Sequence, residues 1–289
     1  MIELKSIAGV IRDPAGRLSP FKIVVLLLSV LPGLLTAINW IGHDLGGRPV
    51  TEAIHQTGLW AIRFLIITLA VTPARGVLDF PKIVMLRRML GVTSACYATA
   101  HFALFIADQN YNLFKVMTEI LSRFYLAIGY VAFLGLLALA ITSTDDWQRS
   151  LGRDWKKLHK LVFVIAPLVL FHYAVQSKAD VSDAVFLTGL FLWLMFWRAI
   201  PRRLQTRLWP LPGFAVGAGL LAALMEAGWY IVRNNVNGWQ VLDANLDISY
   251  GPRPAVAVVL VGVMVLLVAA VRKLLKKWRV PSGMVRTQG

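Results

Sequence analysis

Apolar residues in this chain come in long blocks, not in the alternation of a strand or the single stripe of a surface helix. Eight blocks reach the roughly 17–25 residues that a helix needs to cross a bilayer core. They lie near residues 22–41, 57–73, 89–107, 124–142, 158–176, 183–200, 211–232 and 254–271. Carboxylates are almost absent from them, with Glu226 the main exception. The pattern predicts an all-α integral membrane protein of about eight transmembrane helices. The first block is preceded by charged residues, as a signal peptide would be. Its length, the lack of a small-residue cleavage pattern and the Asn39, Trp40 and His43 that follow mark it as a retained span.

Composition strengthens this picture. Of 289 residues, 57% are hydrophobic and 16% charged, with a mean hydropathy of +0.65. The net charge of +15 suggests nucleic acid until the basic residues are placed. Lys5, Arg12, Arg17 and Lys22 precede the first span. Arg75, Lys82, Arg87 and Arg88 fill the loop after the second, Arg149 to Lys157 the loop after the fourth, and Arg202 to Arg207 the loop after the sixth. Arg272 to Arg279 follow the last span, and the alternate loops are poorer in Lys and Arg. This is the positive-inside pattern. It sets both termini in the cytoplasm and removes the reason to expect nucleic acid. The basic, proline-rich stretch Pro201 to Pro212 separates six spans from two, so the expected division is a six-helix domain over 20–200 and a linker, two more helices and a basic tail over 201–289. No internal repeat is apparent. The single Cys96 lies within a span, which rules out a disulfide framework, a four-cysteine cluster and covalent haem attachment.

Histidine inside a bilayer is costly without a partner, so it marks a functional candidate. His101 lies roughly 18 Å along the third span and His172 roughly 21 Å along the fifth, at about 1.5 Å per residue. With both spans running outward, the two imidazoles match in depth in the outer half. Two axial nitrogens between helices, walled by Tyr97, Phe102, Phe105, Phe171 and Tyr173, suit a b-type haem. The bland alternative is hydrogen bonding across helix interfaces. His159 lies about 20 Å deeper on the same helix as His172 and points elsewhere on a straight helix, although Pro167 can bend it. It is a candidate for a second haem, a flavin or quinone contact, or simple anchoring. Arg88 stands thirteen residues before His101, as His159 does before His172. With Arg87 it suits a haem propionate or flavin phosphate, or plain positive-inside anchoring. Arg63, within the second span, needs a propionate, Glu226 or a route to water. His55 and His43 lie at the outer boundary, and His55 is the better candidate for cofactor contact.

The runs HQTGLWAIRFLIITLAVTPAR (55–75), RRMLG (87–91), YATAHFALF (97–105), ALAITST (138–144) and LGRDWKKLHKLVFVIAPLVLFHY (151–173) resemble the MsrQ (YedZ) family. These are haem-binding membrane subunits of the periplasmic methionine sulfoxide reductase system, with a ferric-reductase-like domain, and the resemblance covers about residues 20–200. It implies an electron carrier in the bacterial inner membrane with b-type haem, one or two, and FMN. Electrons would come from the quinone pool or a cytosolic flavin reductase and pass to a periplasmic molybdopterin subunit that repairs oxidised methionine. The family's haem histidines correspond to His101, His159 and His172. The two helices after residue 205 have no counterpart in shorter members. Two rival expectations stand beside this one: a stand-alone ferric or quinone reductase, and a transporter or scaffold with a histidine-lined path. The second is disfavoured by the scarcity of carboxylates in the spans.

Overall fold

The computed structural model describes residues 16–178, 180–205, 207–249 and 251–279, with side chains to residue 276. The basic residues Lys5 and Arg12 and the end of the basic tail lie outside the described residues. Among the described residues the fold is all-helical, and eight helices are long and apolar enough to cross a membrane, one for each apolar block. The chain is a multi-pass membrane protein. Packing divides it into two compact units: the first runs to Val71 and resumes over Val84–Asp180, and the second takes Thr72–Ile83 and the chain from Val181 onward.

The first unit holds α1 (Pro20–Ile41), most of α2 (Pro49–Val77), α3 (Arg87–Asp108), α4 (Leu113–Ser122), α5 (Phe124–Ile141), α6 (Asp145–Leu158) and α7 (Val162–Gln176). Ser19 caps α1 and Pro20 opens it, where the missing N–H costs nothing. Inside α1, Pro32 interrupts the hydrogen-bond ladder, and α3 fills the gap. The Tyr97 hydroxyl accepts from Gly33 N–H at 2.7 Å and donates to the Ser29 carbonyl at 2.9 Å. A phenol inserted between those two backbone groups satisfies both where a kink would leave them bare. Pairing is strongest between α5 and α7, with α3 also against α5.

Three short helices lie outside the eight apolar blocks. On α4, capped by Asn112, Val116 and Ile120 are buried while Leu113, Phe114 and Leu121 stay exposed. No residue of α6 is buried, and its course breaks at Gly152, whose φ of +50° favours glycine. The seven-residue α10 (Gly238–Ala244) is capped by Asn237. Each mixes polar and apolar positions over too few residues to register as a span.

The second unit packs α8 (Ser182–Ala199), α9 (Pro210–Asn234), α10 and α11 (Pro254–Arg279). Its core joins Val77, Trp193, Trp197, Leu211, Ala215, Ala218, Val258 and Ala269. Small residues bring the backbones close: a Cβ on Gly262 would meet that of Ala215 at 2.3 Å, and one on Gly219 would meet the Ala255 carbonyl at 2.9 Å. Such contacts replace the hydrophobic drive that lipid does not supply. Among them sits Glu226, fully buried. One carboxylate oxygen accepts from Arg253 and the other from Asn245, each at 2.7 Å. The network ties the segment between α10 and α11 to α9. Glu226 is therefore engaged within its own unit. Glu226→Ala removes the shared acceptor of buried Asn245 and partly exposed Arg253 and should lower the stability of detergent-solubilised protein by about 1–3 kcal/mol, read as a fall in thermal unfolding midpoint. An unchanged midpoint would show that the network carries no stabilisation.

Candidate functional site

His101 sits on α3 seven residues before its end, and His172 on α7 four residues before its end. The helices bring their rings to 6.5 Å between centroids, at an interplanar angle of 82°. Each imidazole is fixed the same way. His101 Nδ1–H donates to the carbonyl of Ile54 on α2, and His172 Nδ1–H donates to the carbonyl of Tyr125 on α5, both at 2.8 Å. A carbonyl only accepts, so Nδ1 must carry the proton and Nε2 keeps its lone pair. That is the tautomer of a metal-ligating histidine oriented by an outer partner.

The spacing tests what fits between them. Metal–imidazole bonds of about 2.0–2.1 Å, with each ring centre about 1.1 Å behind its nitrogen, set two ligating rings about 6.3 Å apart. The observed separation agrees. The described residues hold no group of three or more His, Cys, Asp or Glu able to take a metal, so a bare ion would lack ligands. A haem brings four nitrogens of its own and needs only the axial pair. The neighbourhood is aromatic: Phe102 stacks on Phe133 at 4.9 Å and meets Tyr130 at 5.6 Å, while the Tyr125 ring lies 6.4 Å from that of His172. The residues present fit a haem.

The other expected contacts fall elsewhere. His159 occupies a 3-10 turn (His159–Leu161), stacked on Trp155 at 4.0 Å, with Nε2 3.3 Å from the Thr142 hydroxyl. That hydroxyl already donates to the Ala138 carbonyl, so His159 Nε2 must be the donor. Its tautomer is the reverse of that of His101 and His172. Arg88 forms an exposed ion pair with Asp145. Arg63 stacks its guanidinium over Trp60 at 4.9 Å. His55 is exposed on α2. Of the expected aromatic wall, Tyr97 is committed to the backbone of α1 and Phe171 is 46% exposed, lying against Phe124. Sequence reasoning missed Ile54 and Tyr125, whose contribution is a backbone carbonyl, and the glycines Gly58 and Gly129 that face the two rings.

Eight helices able to cross a membrane and two imidazoles 6.5 Å apart define a multi-pass membrane protein with a paired-histidine site. Residues 57–170 match the family described as ferric reductase like transmembrane component. A protein of Xanthomonas oryzae pv. oryzae (strain MAFF 311018) is 41% identical over 160 residues, covering 55% of this chain and 73% of its own. One from Xanthomonas euvesicatoria pv. vesicatoria (strain 85-10) is 41% identical over 159 residues, 54% of this chain and 73% of its own. One from Caulobacter vibrioides is 34% identical over 168 residues, 57% of this chain and 80% of its own. All three are named protein-methionine-sulfoxide reductase heme-binding subunit MsrQ. This chain belongs to the MsrQ family, for which the bacterial inner membrane is the fitting location. No solved structure matches it.

The Arg88–Asp145 pair is solvent-exposed on both sides, and such pairs are worth less than about 1 kcal/mol. Arg88→Ala should leave the thermal unfolding midpoint nearly unchanged. A large drop would mean that the pair has a structural role.

Proposed function

We propose that this chain is the haem-binding, electron-carrying membrane subunit of a methionine sulfoxide reductase system, with one b-type haem held between His101 and His172. The supporting observation is the imidazole pair: both rings have Nδ1 tied to a backbone carbonyl and Nε2 left for a ligand, at a spacing that suits one metal atom. When bound, the haem supplies a one-electron redox centre whose potential follows its ligands and surroundings. The chain's own groups do the rest. The Ile54 and Tyr125 carbonyls orient the rings and raise the basicity of Nε2. Phe102, Tyr130 and Phe133 exclude water from the same layer. Arg63 and His55, on the helix that carries Ile54, are the proposed propionate contacts.

With the basic loops held in the cytoplasm, the His101–His172 end faces the periplasm. Electrons then leave from that end to a periplasmic molybdopterin reductase, which performs the sulfoxide chemistry. They enter from the quinone pool or a cytosolic flavin reductase. Arg88 and His159, at the opposite end of α3 and the start of the α7 segment, are the proposed contacts there for a donor or for FMN. Residues 20–200 form the redox part, and residues 201–289 add the two further helices.

The test is a reduced-minus-oxidised optical spectrum with haem quantitation on purified protein. His101→Ala and His172→Ala should each abolish the same haem signal, while His159→Ala keeps it. Full, spectrally unchanged haem in both of the first two variants would overturn the proposal.

A further inference from the structure

The two histidine seats are the same device. His172 follows His101 by 71 residues, as Tyr125 follows Ile54 and Gly129 follows Gly58. Both Nδ1-to-carbonyl bonds span 47 residues of sequence and both measure 2.8 Å. In each seat the glycine lies four residues after the accepting carbonyl, Gly58 after Ile54 and Gly129 after Tyr125. The reason is local helix geometry. The carbonyl of residue i already accepts the N–H of residue i+4, and the side chain at i+4 lies beside it on the same face of the helix. Only where that side chain is missing can an imidazole from the neighbouring helix come in flat and share the carbonyl.

The space is fully used. A Cβ on Gly129 would stand 2.6, 2.7 and 2.9 Å from Nδ1, Cε1 and Cγ of His172. On Gly58 it would stand 2.8, 3.0 and 3.6 Å from the same atoms of His101. Ordinary carbon contacts lie at about 3.5–4.0 Å. The obstacle in each case is the ring itself, held by its hydrogen bond, with no flexible tip to swing aside.

We propose that Gly58 and Gly129 are positioning residues for the haem ligands: one carbonyl-plus-glycine seat, used twice at equal sequence spacing, sets the tautomer, orientation and reach of both imidazoles. This rests on the haem ligation proposed above. The seat stops at the outer layer. At the same 71-residue offset His159 corresponds to Arg88, and His159 lies instead against Trp155 and the Thr142 side chain. The tighter fit at Gly129 makes the two seats unequal in their tolerance of change.

The experiment compares Gly129→Ala and Gly58→Ala with two matched controls on purified, monodisperse protein. Gly135→Ala lies on α5 and meets the Ile165 side chain, at 2.8 Å from Cδ1 and 3.0 Å from Cγ1, away from both rings, and Gly91→Ala on α3 meets Thr68 Cγ2 at an ordinary 3.6 Å. Losing an orienting partner of a metal ligand typically weakens binding by about 10–100-fold. We expect a loss of that order for Gly129→Ala and a smaller one for Gly58→Ala, each with conversion of retained haem from low spin to high spin and a shifted midpoint potential. Both controls should keep the unsubstituted spectrum and potential. A second measurement needs no variant: electron–nuclear double resonance on the unsubstituted ferric protein should find a protonated Nδ1 on both axial imidazoles.

Unchanged spectra and potentials in both glycine variants, with haem still lost in His101→Ala and His172→Ala, would overturn the seat and leave the ligands standing. An unprotonated Nδ1 would do the same. Haem retained unchanged in both histidine variants would instead remove the ligation on which the seat rests. If the glycine variants do not fold, the Nδ1 measurement decides.

Discussion

Everything specific to this protein depends on two imidazoles being held at one depth with the same nitrogen outward. Lipid offers no hydrogen bond to a histidine ring, so the chain must supply one, and it does so from backbone on both sides. Using a carbonyl has two consequences. The proton is fixed on Nδ1, because nothing else about a carbonyl permits donation. The ring is also located by helix geometry and not by a side chain with rotamers of its own. The hydrogen bonds tie α3 to α2 and α7 to α5, and the two ring centres stand 6.5 Å apart.

The remaining structure can be read as what keeps that frame upright in a bilayer. Tyr97, one turn before His101, closes the opening that Pro32 makes in α1 and so ties α1 to α3. The second unit is assembled by different means, with alanine and glycine contacts bringing α8, α9 and α11 together and a buried carboxylate fastening the segment between α10 and α11. In the first unit two glycines, Gly58 and Gly129, face the imidazoles.

The eight spans were legible because hydrocarbon demands long apolar runs, a constraint strong enough to overrule local detail. The depth match of His101 and His172 followed from the same rise per residue. What remained hidden lies in backbone and in distant pairs. A carbonyl acceptor leaves no mark in sequence, and Gly58 and Gly129 sit in apolar helices where glycine has many uses. The recurrence at 71 residues involves too few positions to register as a repeat until geometry shows that they are the positions in contact with the rings. For Arg63 the sequence left a propionate, Glu226 and a route to water all open. Arg253 and Asn245, which hold Glu226, sit between α10 and α11 in a segment that hydropathy passes over. The short helices α4, α6 and α10 escaped because their mixed faces resemble loops.

Ligation of one haem by His101 and His172, with their rings at the observed angle, is tested most directly by electron paramagnetic resonance of the oxidised, unsubstituted protein. Axial imidazoles with planes near perpendicular, as the 82° angle requires, give a highly anisotropic low-spin ferric spectrum dominated by a single low-field feature. A rhombic three-line low-spin spectrum, the mark of near-parallel rings, or a high-spin signal from a five-coordinate iron, would contradict the account.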